Sequence, residues 1–433
     1  MITAKHIAAT GNHYPVSYQR LGRHAKTTAC VLAFSIGAFI QLSMPLTDLY
    51  QIPNVRGIFF AVIVAAFAFR FLSGEPIKAG SPLIMSYLAV SLFWAVGISY
   101  SRAPLYGTSK TILVASYFWA LGILIYNLLE DFSAGKAFLN GLLLGGILLV
   151  GITAVEFGNP IQLVRGANRF FRLRFGEDGN PIMLARHLAL ALTVTVTYVA
   201  VRRKWIDLLW SVPLGLLTCA YLVATGSKGP LLALLASLVC APIFLVRGIV
   251  ARASLTILIV AVSVIGGIVL LTLLPTDFIQ ERFIDKIQNL SLRLPAYQAT
   301  IHAILNADAL ELLIGHGTGD FGYLDLRRDD RAYPHNMLLE VTYENGLVGI
   351  ALLLMALVLP LVSVMRAAQQ RVAFNQRALL AGLTASYIAA VINAQFSGDL
   401  GANLLIGMFG AATVSTVQGI DRQPHRAAQI TSA

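Results

Sequence analysis

Apolar runs long enough to cross a lipid bilayer as helices recur from Thr27 almost to the C-terminus of this 433-residue chain. Roughly 20 helical residues span the hydrocarbon core of a bilayer, and a helix satisfies internally the backbone polar groups that lipid cannot bond. The runs therefore predict an all-α, polytopic membrane bundle of about twelve transmembrane helices. They exclude an arrangement of several water-soluble domains.

The predicted spans set the boundaries of this architecture. They cover residues 27 to 46, 57 to 72, 81 to 100, 108 to 129, 137 to 156, 181 to 201, 206 to 226, 230 to 246, 253 to 274, 346 to 364, 377 to 396 and 402 to 419. An N-terminal tail (1 to 26) precedes nine spans within residues 27 to 274, which include an external loop at 157 to 180. A large external loop (275 to 345) leads to three spans within 346 to 419 and a C-terminal tail (420 to 433).

The charge of the chain indicates which partners to expect, and its cysteines indicate whether disulfides or zinc sites are expected. Hydrophobic residues make up 57% of the chain and charged residues 12%, with a formal net charge of +11. Most basic residues border predicted spans or lie in the two longer external loops, which favours anionic lipid headgroups and phosphates over nucleic acid. The three cysteines lie in apolar runs, a position typical of core residues rather than of disulfides or zinc ligands: Cys30, Cys219 and Cys240.

The distribution of lysine and arginine predicts the orientation, because positive charge is retained on the cytoplasmic side. Both tails and the even-numbered turns are basic, the turns through Arg70, Lys78, Lys136, Arg202, Arg203, Lys204, Arg247, Arg252, Arg366 and Arg371. The short external turns hold fewer cations: Arg56, Arg102, Lys110 and Lys228. We therefore expect both termini in the cytoplasm, and the arginines of the two longer external loops need another explanation.

The large external loop is predicted to carry an amphipathic helix that lies on the membrane. Its apolar positions recur at helical spacing beside polar ones: Leu294, Tyr297, Ile301, Ile304 and Leu305 against Gln298, His302 and Asn306. A glycine-rich stretch then predicts turns: Gly315, Gly317, Gly319 and Gly322. Pro334 suits the first turn of the helix that re-enters the bilayer.

The most informative motif lies at the end of this loop. His335-Asn336, nine further residues and Gly346-Leu-Val-Gly349 resemble the His-Asn/Ser/Gln, nine residues, Gly-x-x-Gly motif of the O-antigen ligase and polymerase superfamily. Arg293, its helix and Gly315-His-Gly317 resemble the family's loop segment. Thr225-Gly-Ser-Lys228-Gly-Pro230 is also similar, although the family often has arginine where Lys228 stands. The resemblance covers roughly the fifth to the eleventh predicted span.

The resemblance implies a function and a location. Family members transfer a glycan from undecaprenyl pyrophosphate without a nucleotide sugar, another cofactor or a metal. The expected acceptor is the lipid A core oligosaccharide, which gives lipopolysaccharide by an inverting transfer. The expected location is the inner membrane of a Gram-negative cell, with the site facing the periplasm and phospholipids around the bundle.

Such a transfer needs cations for the leaving pyrophosphate and a base for the acceptor hydroxyl. The predicted catalytic residues are His335 as base, with Arg293 and Arg186 as pyrophosphate ligands. An uncompensated arginine inside a span, such as Arg186, costs about 3 kcal/mol on insertion scales, so it should face a wet cavity or an anion. The candidate substrate-binding residues are Lys228, Asn336, Arg165, Arg169, Arg172, Arg174, Tyr297 and Glu340.

Each assignment has a structural alternative. Arg186 could reach toward the external surface, and Arg293 and the arginines of the 157 to 180 loop could bind phospholipid headgroups. Glu340 and Glu344 could accept hydrogen bonds from the catalytic residues, or they could merely line the start of the helix. We expect the positive end of the helix macrodipole to lower the pKa of His335 and so favour the neutral imidazole.

Three other functions remain open. A polymerase would use nearly the same donor site. A protein O-oligosaccharyltransferase is less favoured, because relatives of that kind carry a sizeable external C-terminal region, whereas this chain ends shortly after the last predicted span. A transporter of lipid-linked glycan would place its polar groups near the membrane midplane, whereas here they gather at the external surface.

Overall fold

A computed structural model describes residues 16–50, 77–160, 173–175, 180–273, 289–370, 372–396 and 403–431, with scattered single positions between these ranges. Within the described residues the secondary structure is helical, without a strand. The predicted all-α membrane fold is therefore confirmed.

The helices are α1 Val16–Asp48, α2 Pro82–Gly97, α3 Pro104–Leu128, α4 Phe132–Phe157, α5 Pro181–Arg202, α6 Asp207–Ala224, α7 Lys228–Leu245 and α8 Ile249–Leu273. After these come α9 Asn289–Leu305, α10 Ala309–Ile314, α11 Phe321–Leu326, α12 Met337–Ala368, α13 Phe374–Asn393 and α14 Leu405–Thr431. Helix α3 contains a π-helical turn at Ala115–Ala120.

Nine helices in the described residues are long and apolar enough to cross a membrane: α1 to α8 and α12. Each overlaps one predicted span. Helices α13 and α14 overlap the predicted eleventh and twelfth spans but are not among the nine. The predicted second span, 57 to 72, lies almost wholly outside the described residues, so the count of twelve stays a prediction.

Small residues let the helices approach closely. A Cβ atom at Gly141 of α4 would lie only 2.0 Å from the carbonyl oxygen of Phe34 in α1. A Cβ atom at Gly382 of α13 would lie 2.1 Å from Oγ1 of Thr197 in α5. Close backbone approach of this kind is the usual way in which membrane helices gain packing contacts, since lipid supplies no hydrophobic drive between them. The second contact fixes α13 against α5, which matters for the candidate site.

Helix α12 differs from the predicted tenth span in where it begins. It starts at Met337 rather than at residue 346, and it kinks at Gly346, whose φ of 62° lies in the left-handed region. Asn336 is the N-cap residue, and Pro334 precedes it, so the placement of Pro334 in the first turn was wrong. The motif glycine Gly346 therefore does not mark the start of the span. It lies at a kink inside α12, where the helix passes the end of α10.

In its described residues 289–345, the segment predicted as the large external loop contains the predicted helix as α9 and the predicted turns at residues 315–320. Its second half is bound to the turn between α2 and α3. The buried carboxylate of Asp320 accepts Nε of Arg102 at 3.0 Å and Nη2 at 2.6 Å. Asp329 accepts the backbone N–H groups of Leu105 and Tyr106, so it caps the N-terminus of α3. These bonds attach the loop rigidly to the bundle.

The kink of α12 provides a stability prediction. A Cβ atom at Gly346 would lie 2.5 Å from the carbonyl oxygen of Leu313 and would also strain the backbone. We expect Gly346→Ala to destabilise the protein by about 3 kcal/mol or more, measured as a lower unfolding midpoint in detergent. Gly151→Ala is the control, because nothing lies within 4 Å of a Cβ atom at that position. Equal midpoints for both variants would contradict the packing described.

Candidate functional site

Three hydrogen-bond donors from distant parts of the chain meet at the C-terminal end of α13. The carbonyl oxygen of Asn393 accepts Nη2 of Arg186 at 3.3 Å, and that of Phe396 accepts Nη1 of Arg293 at 2.6 Å. Between them, the carbonyl oxygen of Ala394 accepts the backbone N–H of Met337 at 3.1 Å. The last carbonyls of a helix lack intrahelical partners and carry partial negative charge. One helix end therefore holds α5, α9 and the start of α12 together.

Arg186 lies in the second turn of α5, and its side chain is buried in the bundle with 6% of its surface exposed. The contact between Gly382 and Thr197 keeps α5 close to α13, which allows the guanidinium group to reach the helix end. His187, the next residue, points to α1, where its Nδ1 lies 3.3 Å from the side-chain amide of Gln41. This is a structural polar contact between two helices.

Arg293 lies on α9 and is partly buried. Its bond to the carbonyl oxygen of Phe396 uses one of the five N–H groups of the guanidinium. Among the residues that the structure describes, no carboxylate pairs with it. The remaining N–H groups keep the forked geometry that suits phosphate oxygens.

His335 precedes the N-cap of α12 and adopts a φ of 58°, which is uncommon for a residue other than glycine. Its ring lies edge-on to Tyr333, with 4.7 Å between the ring centroids. Atom Nδ1 is buried and has no hydrogen-bond partner within the described part of the chain. The loop thus presents the imidazole in a strained and partly enclosed position.

The environment of His335 lowers its pKa to about 4. Burial is the first cause, because it penalises the charged imidazolium, and the positive charge of Arg293 is the second. The direction agrees with the sequence prediction, although the predicted cause was the helix macrodipole. Arg293 therefore lies close enough to His335 to influence its charge.

Three other candidates, Lys228, Asn336 and Tyr297, lie on α7, at the start of α12 and on α9. Lys228 is the first residue of α7, and a Cβ atom at the adjacent Gly229 would lie 3.1 Å from Cβ of Phe396. The Asn336 side chain accepts the backbone N–H of Leu339 at 3.0 Å and so caps α12. Tyr297 lies on α9, partly buried.

The basic loop at 157 to 180 is described only in part. Arg165, Arg169 and Arg172 lie outside the described residues. Arg174 is exposed, and the neighbouring Leu173 and Phe175 are fully buried. This short stretch therefore holds Arg174 at the surface beside α6, where the backbone N–H of Leu173 bonds to the carbonyl oxygen of Ala224.

Glu340 and Glu344 occupy a different environment from the arginines. Both are fully buried on one face of α12, and both carboxylates bind Nζ of Lys110, with 2.5 Å between Nζ and Oε2 of Glu344. Glu340 is thus part of a buried ion cluster that joins α3 and α12.

The part of Lys110 in this ion cluster was not predicted from the sequence. Lys110 was expected among the cations of the short external turns, but it lies within α3 with 2% of its surface exposed. The available signal was a lysine inside a predicted apolar span together with two glutamates one helical turn apart. Asp320 was also missed, because nothing in its local sequence indicates a partner 218 positions away in Arg102.

Residues 213–354 of the chain match the family model of the O-antigen ligase (Wzy_C) family. This part of the chain is similar to the O-antigen ligase family. The matched range begins within α6 and ends within α12, so it includes Lys228, Arg293 and His335 but neither Arg186 nor the end of α13. No curated protein matches the chain.

The family match agrees with the architecture. The O-antigen ligase superfamily consists of membrane enzymes of the glycosyltransferase kind, whose substrates are in general lipid-linked glycans and lipid acceptors. The apolar helices in the described residues are those of a multi-pass membrane protein.

The buried ion cluster provides a second prediction. Replacing Lys110 with methionine leaves two buried carboxylates without their cation, which should cost about 3 to 5 kcal/mol. We expect a clearly lower unfolding midpoint in detergent, partly restored when Glu340→Gln and Glu344→Gln are added. Arg328→Ala is the control, since the Arg328–Asp330 pair is exposed and should contribute little. A Lys110→Met protein as stable as the control would show that the cluster is not structural.

Proposed function

We propose that this O-antigen ligase domain protein transfers a glycan from undecaprenyl pyrophosphate to the lipid A core oligosaccharide, at the periplasmic face of the inner membrane. The observation that carries the proposal is the convergence of Arg186, Arg293 and the segment that bears His335 on the end of α13. An imidazole beside forked cations, at the end of a membrane bundle, supplies what transfer from a lipid pyrophosphate requires.

His335 is the proposed base. The acceptor hydroxyl attacks the anomeric carbon of the donor sugar while its proton passes to the imidazole. A new glycosidic C–O bond forms as the bond from the anomeric carbon to the pyrophosphate oxygen breaks, and the leaving oxygen keeps the electron pair. Because Nδ1 of His335 is enclosed, Nε2 is the proposed acceptor of the proton. Attack opposite the leaving group inverts the anomeric carbon.

Arg293 and Arg186 are the proposed pyrophosphate ligands. Negative charge grows on the leaving oxygen in the transition state, so cations fixed in advance stabilise that state more than the bound substrate. Arg293 has N–H groups to spare beyond its bond to Phe396. Lys228, at the start of α7 beside Phe396, is a third proposed cation, while Asn336, Tyr297, Arg174 and the remaining arginines of the 157 to 180 loop are proposed contacts of the sugars or the acceptor.

Glu340 is better suited to support than to direct contact with substrate, because it is fully buried and paired with Lys110. The ion cluster fixes the first turns of α12 directly after His335. We therefore propose that Glu340 and Glu344 hold the base in place through the helix that follows it.

The alternative function is an O-antigen polymerase or a protein O-oligosaccharyltransferase, which would use the same donor site with another acceptor. A transporter is less well supported. The cationic groups of the candidate site gather at one end of α13 rather than along a path through the bundle.

A deletion strain tests the function and separates these acceptors. Loss of a ligase should leave core lipid without O-antigen, together with full-length polymer on undecaprenyl pyrophosphate. Loss of a polymerase should instead leave single repeats on the carrier. Unchanged lipopolysaccharide and carrier lipids in the deletion strain would refute the proposed function.

His335→Ala tests the base within the same strain. Loss of a general base should reduce transfer by about 100-fold or more, seen as loss of the O-antigen ladder on a gel at matched protein level. Arg328→Ala, in the same loop but exposed, should restore the ladder fully. A normal ladder with His335→Ala would remove the catalytic assignment.

Substitutions at Arg293 test pyrophosphate binding. Arg293→Ala removes both the positive charge and the forked N–H groups of the guanidinium, so it should lower transfer by about 100-fold. Arg293→Lys keeps the charge but loses the fork, so it should fall between Arg293→Ala and the wild type. Arg328→Lys should match the wild type. Equal transfer by all three variants, measured with purified protein and donor, would contradict the role of Arg293.

A further inference from the structure

A group of arginines lies at the end of the bundle opposite the candidate site. The candidate site is at the C-terminal end of α13, whereas Arg377 lies in the first turn of the same helix, about 30 Å away. Arg203 is the C-cap residue of α5, and Arg247 follows the end of α7. We call these three residues the basic cluster. The charge distribution of the sequence predicts that this end faces the cytoplasm.

Helix packing brings the end of α5 to the start of α13. Thr197 of α5 packs against Gly382 of α13. Six residues further along, the guanidinium carbon of Arg203 lies 4.7 Å from the ring centroid of Phe374, the first residue of α13. Phe374 and Arg377 are three positions apart, so they are neighbours on the helix surface. Arg203 and Arg377 therefore flank the same first turn.

The end of α7 brings Arg247 to this turn as well. Phe244, in the last turn of α7, is buried in one apolar cluster with Leu380 and Ala381, in the second turn of α13. Arg247 follows three residues later, and it is close enough to Arg377 for the two positive charges to repel each other. The fold thus holds like charges together, which an anion between them would stabilise.

No carboxylate pairs with the basic cluster within the described part of the chain. The neighbouring Arg202 does have such a partner, because it pairs with Asp207 at 3.2 Å. Atom Nε of Arg377 is enclosed by protein and has no hydrogen-bond partner among the described residues. The N-cap residue of α13 is Ala373, which offers no side-chain acceptor to the first backbone N–H groups of the helix. Positive charge and N–H donors therefore converge where the described residues supply no carboxylate.

Exposed apolar side chains place the basic cluster at the level of the lipid headgroups. Ile249 and Val250, which follow Arg247 at the start of α8, are 82% and 74% exposed, and Trp205, two residues after Arg203, is 74% exposed. In a membrane protein, lipid covers such side chains, and tryptophan is enriched at the interface between acyl chains and water. Phospholipid phosphate groups lie at that same level, within reach of basic side chains.

We propose that the basic cluster binds the phosphate group of an anionic phospholipid of the inner leaflet. Forked guanidinium groups match phosphate oxygens, and the uncapped start of α13 adds backbone N–H groups and the positive end of the helix dipole. A zwitterionic headgroup is disfavoured, because its own cation would meet three uncompensated arginines. The bound lipid joins the ends of α5, α7 and α13. This inference is independent of the proposed function, which concerns the other end of the bundle.

Lipid binding to the purified full-length protein in neutral detergent tests the site. Native mass spectrometry compares phosphatidylglycerol with phosphatidylcholine at equal molar ratio. We expect phosphatidylglycerol to bind at least about 5-fold more tightly. Millimolar inorganic phosphate should not displace it, because a free ion lacks the acyl chains that hold a lipid beside α8. Equal binding of the two lipids, or displacement by inorganic phosphate, would overturn the proposal.

Substitutions in the basic cluster locate the binding. Arg377→Gln and Arg247→Gln should each weaken phosphatidylglycerol binding by about 5-fold, and Arg377→Lys should weaken it less, because the charge remains. Arg247 is exposed, so its variant should keep the wild-type unfolding midpoint in phosphatidylcholine, which shows that the fold is intact. Wild-type affinity in both glutamine variants would refute the site.

Lys26→Gln is the charge-matched control at the same end of the bundle. Lys26 is exposed and pairs with Asp131, the N-cap residue of α4. The first turn of α4 contains Gly135, which packs against Leu379 of α13. Loss of this lysine removes one positive charge near the same membrane surface and should leave phosphatidylglycerol binding unchanged. A loss of affinity equal to that of Arg377→Gln would show that surface charge in general, rather than the basic cluster, attracts the lipid.

Discussion

The candidate site depends on hydrogen bonds to the backbone carbonyls of Asn393, Ala394 and Phe396, at and just after the end of α13. Helix ends expose backbone acceptors that must find donors, and a membrane bundle offers little water for the purpose. Here the donors are Arg186 and Arg293 with the backbone of Met337. These hydrogen bonds give the carbonyl oxygens their partners. The same bonds place two cations beside the segment that carries His335.

A second constraint keeps this arrangement rigid. The Lys110 cluster ties α3 to the first turns of α12, and Asp320 ties the external loop to Arg102. A buried ion cluster contributes little net stability compared with apolar packing, yet any single change in it leaves an uncompensated charge. Its value lies in specifying one position for α12 and for the loop. A base and cations that must act on the same substrate need that precision.

Those parts of the candidate site that depend on residue type and on the spacing of a motif could be predicted from the sequence. The apolar runs predict the helices, and the motif around His335 and the position of Arg293 select two segments that both bond to backbone carbonyls at or just after the end of α13. The beginning of α12 was missed because Gly346, which carries the motif, is the site of a kink inside the helix. Lys110 was missed because its carboxylate partners lie 230 and 234 positions away. The end of α13 could not be predicted at all, since backbone carbonyls carry no signature in the sequence.

The carbonyl oxygen of Phe396 accounts for how Arg293 is held without a carboxylate partner in the described part of the chain. A cation is tolerated in a membrane protein when acceptors inside the protein receive it, and carbonyl oxygens do so without adding a full negative charge. A carboxylate in that place would neutralise Arg293 and compete with an anionic substrate. Carbonyls hold the guanidinium in position and leave its charge largely available. Exchanging part of that carbonyl bonding for phosphate oxygens then needs little rearrangement, because both accept the same N–H groups in similar geometry.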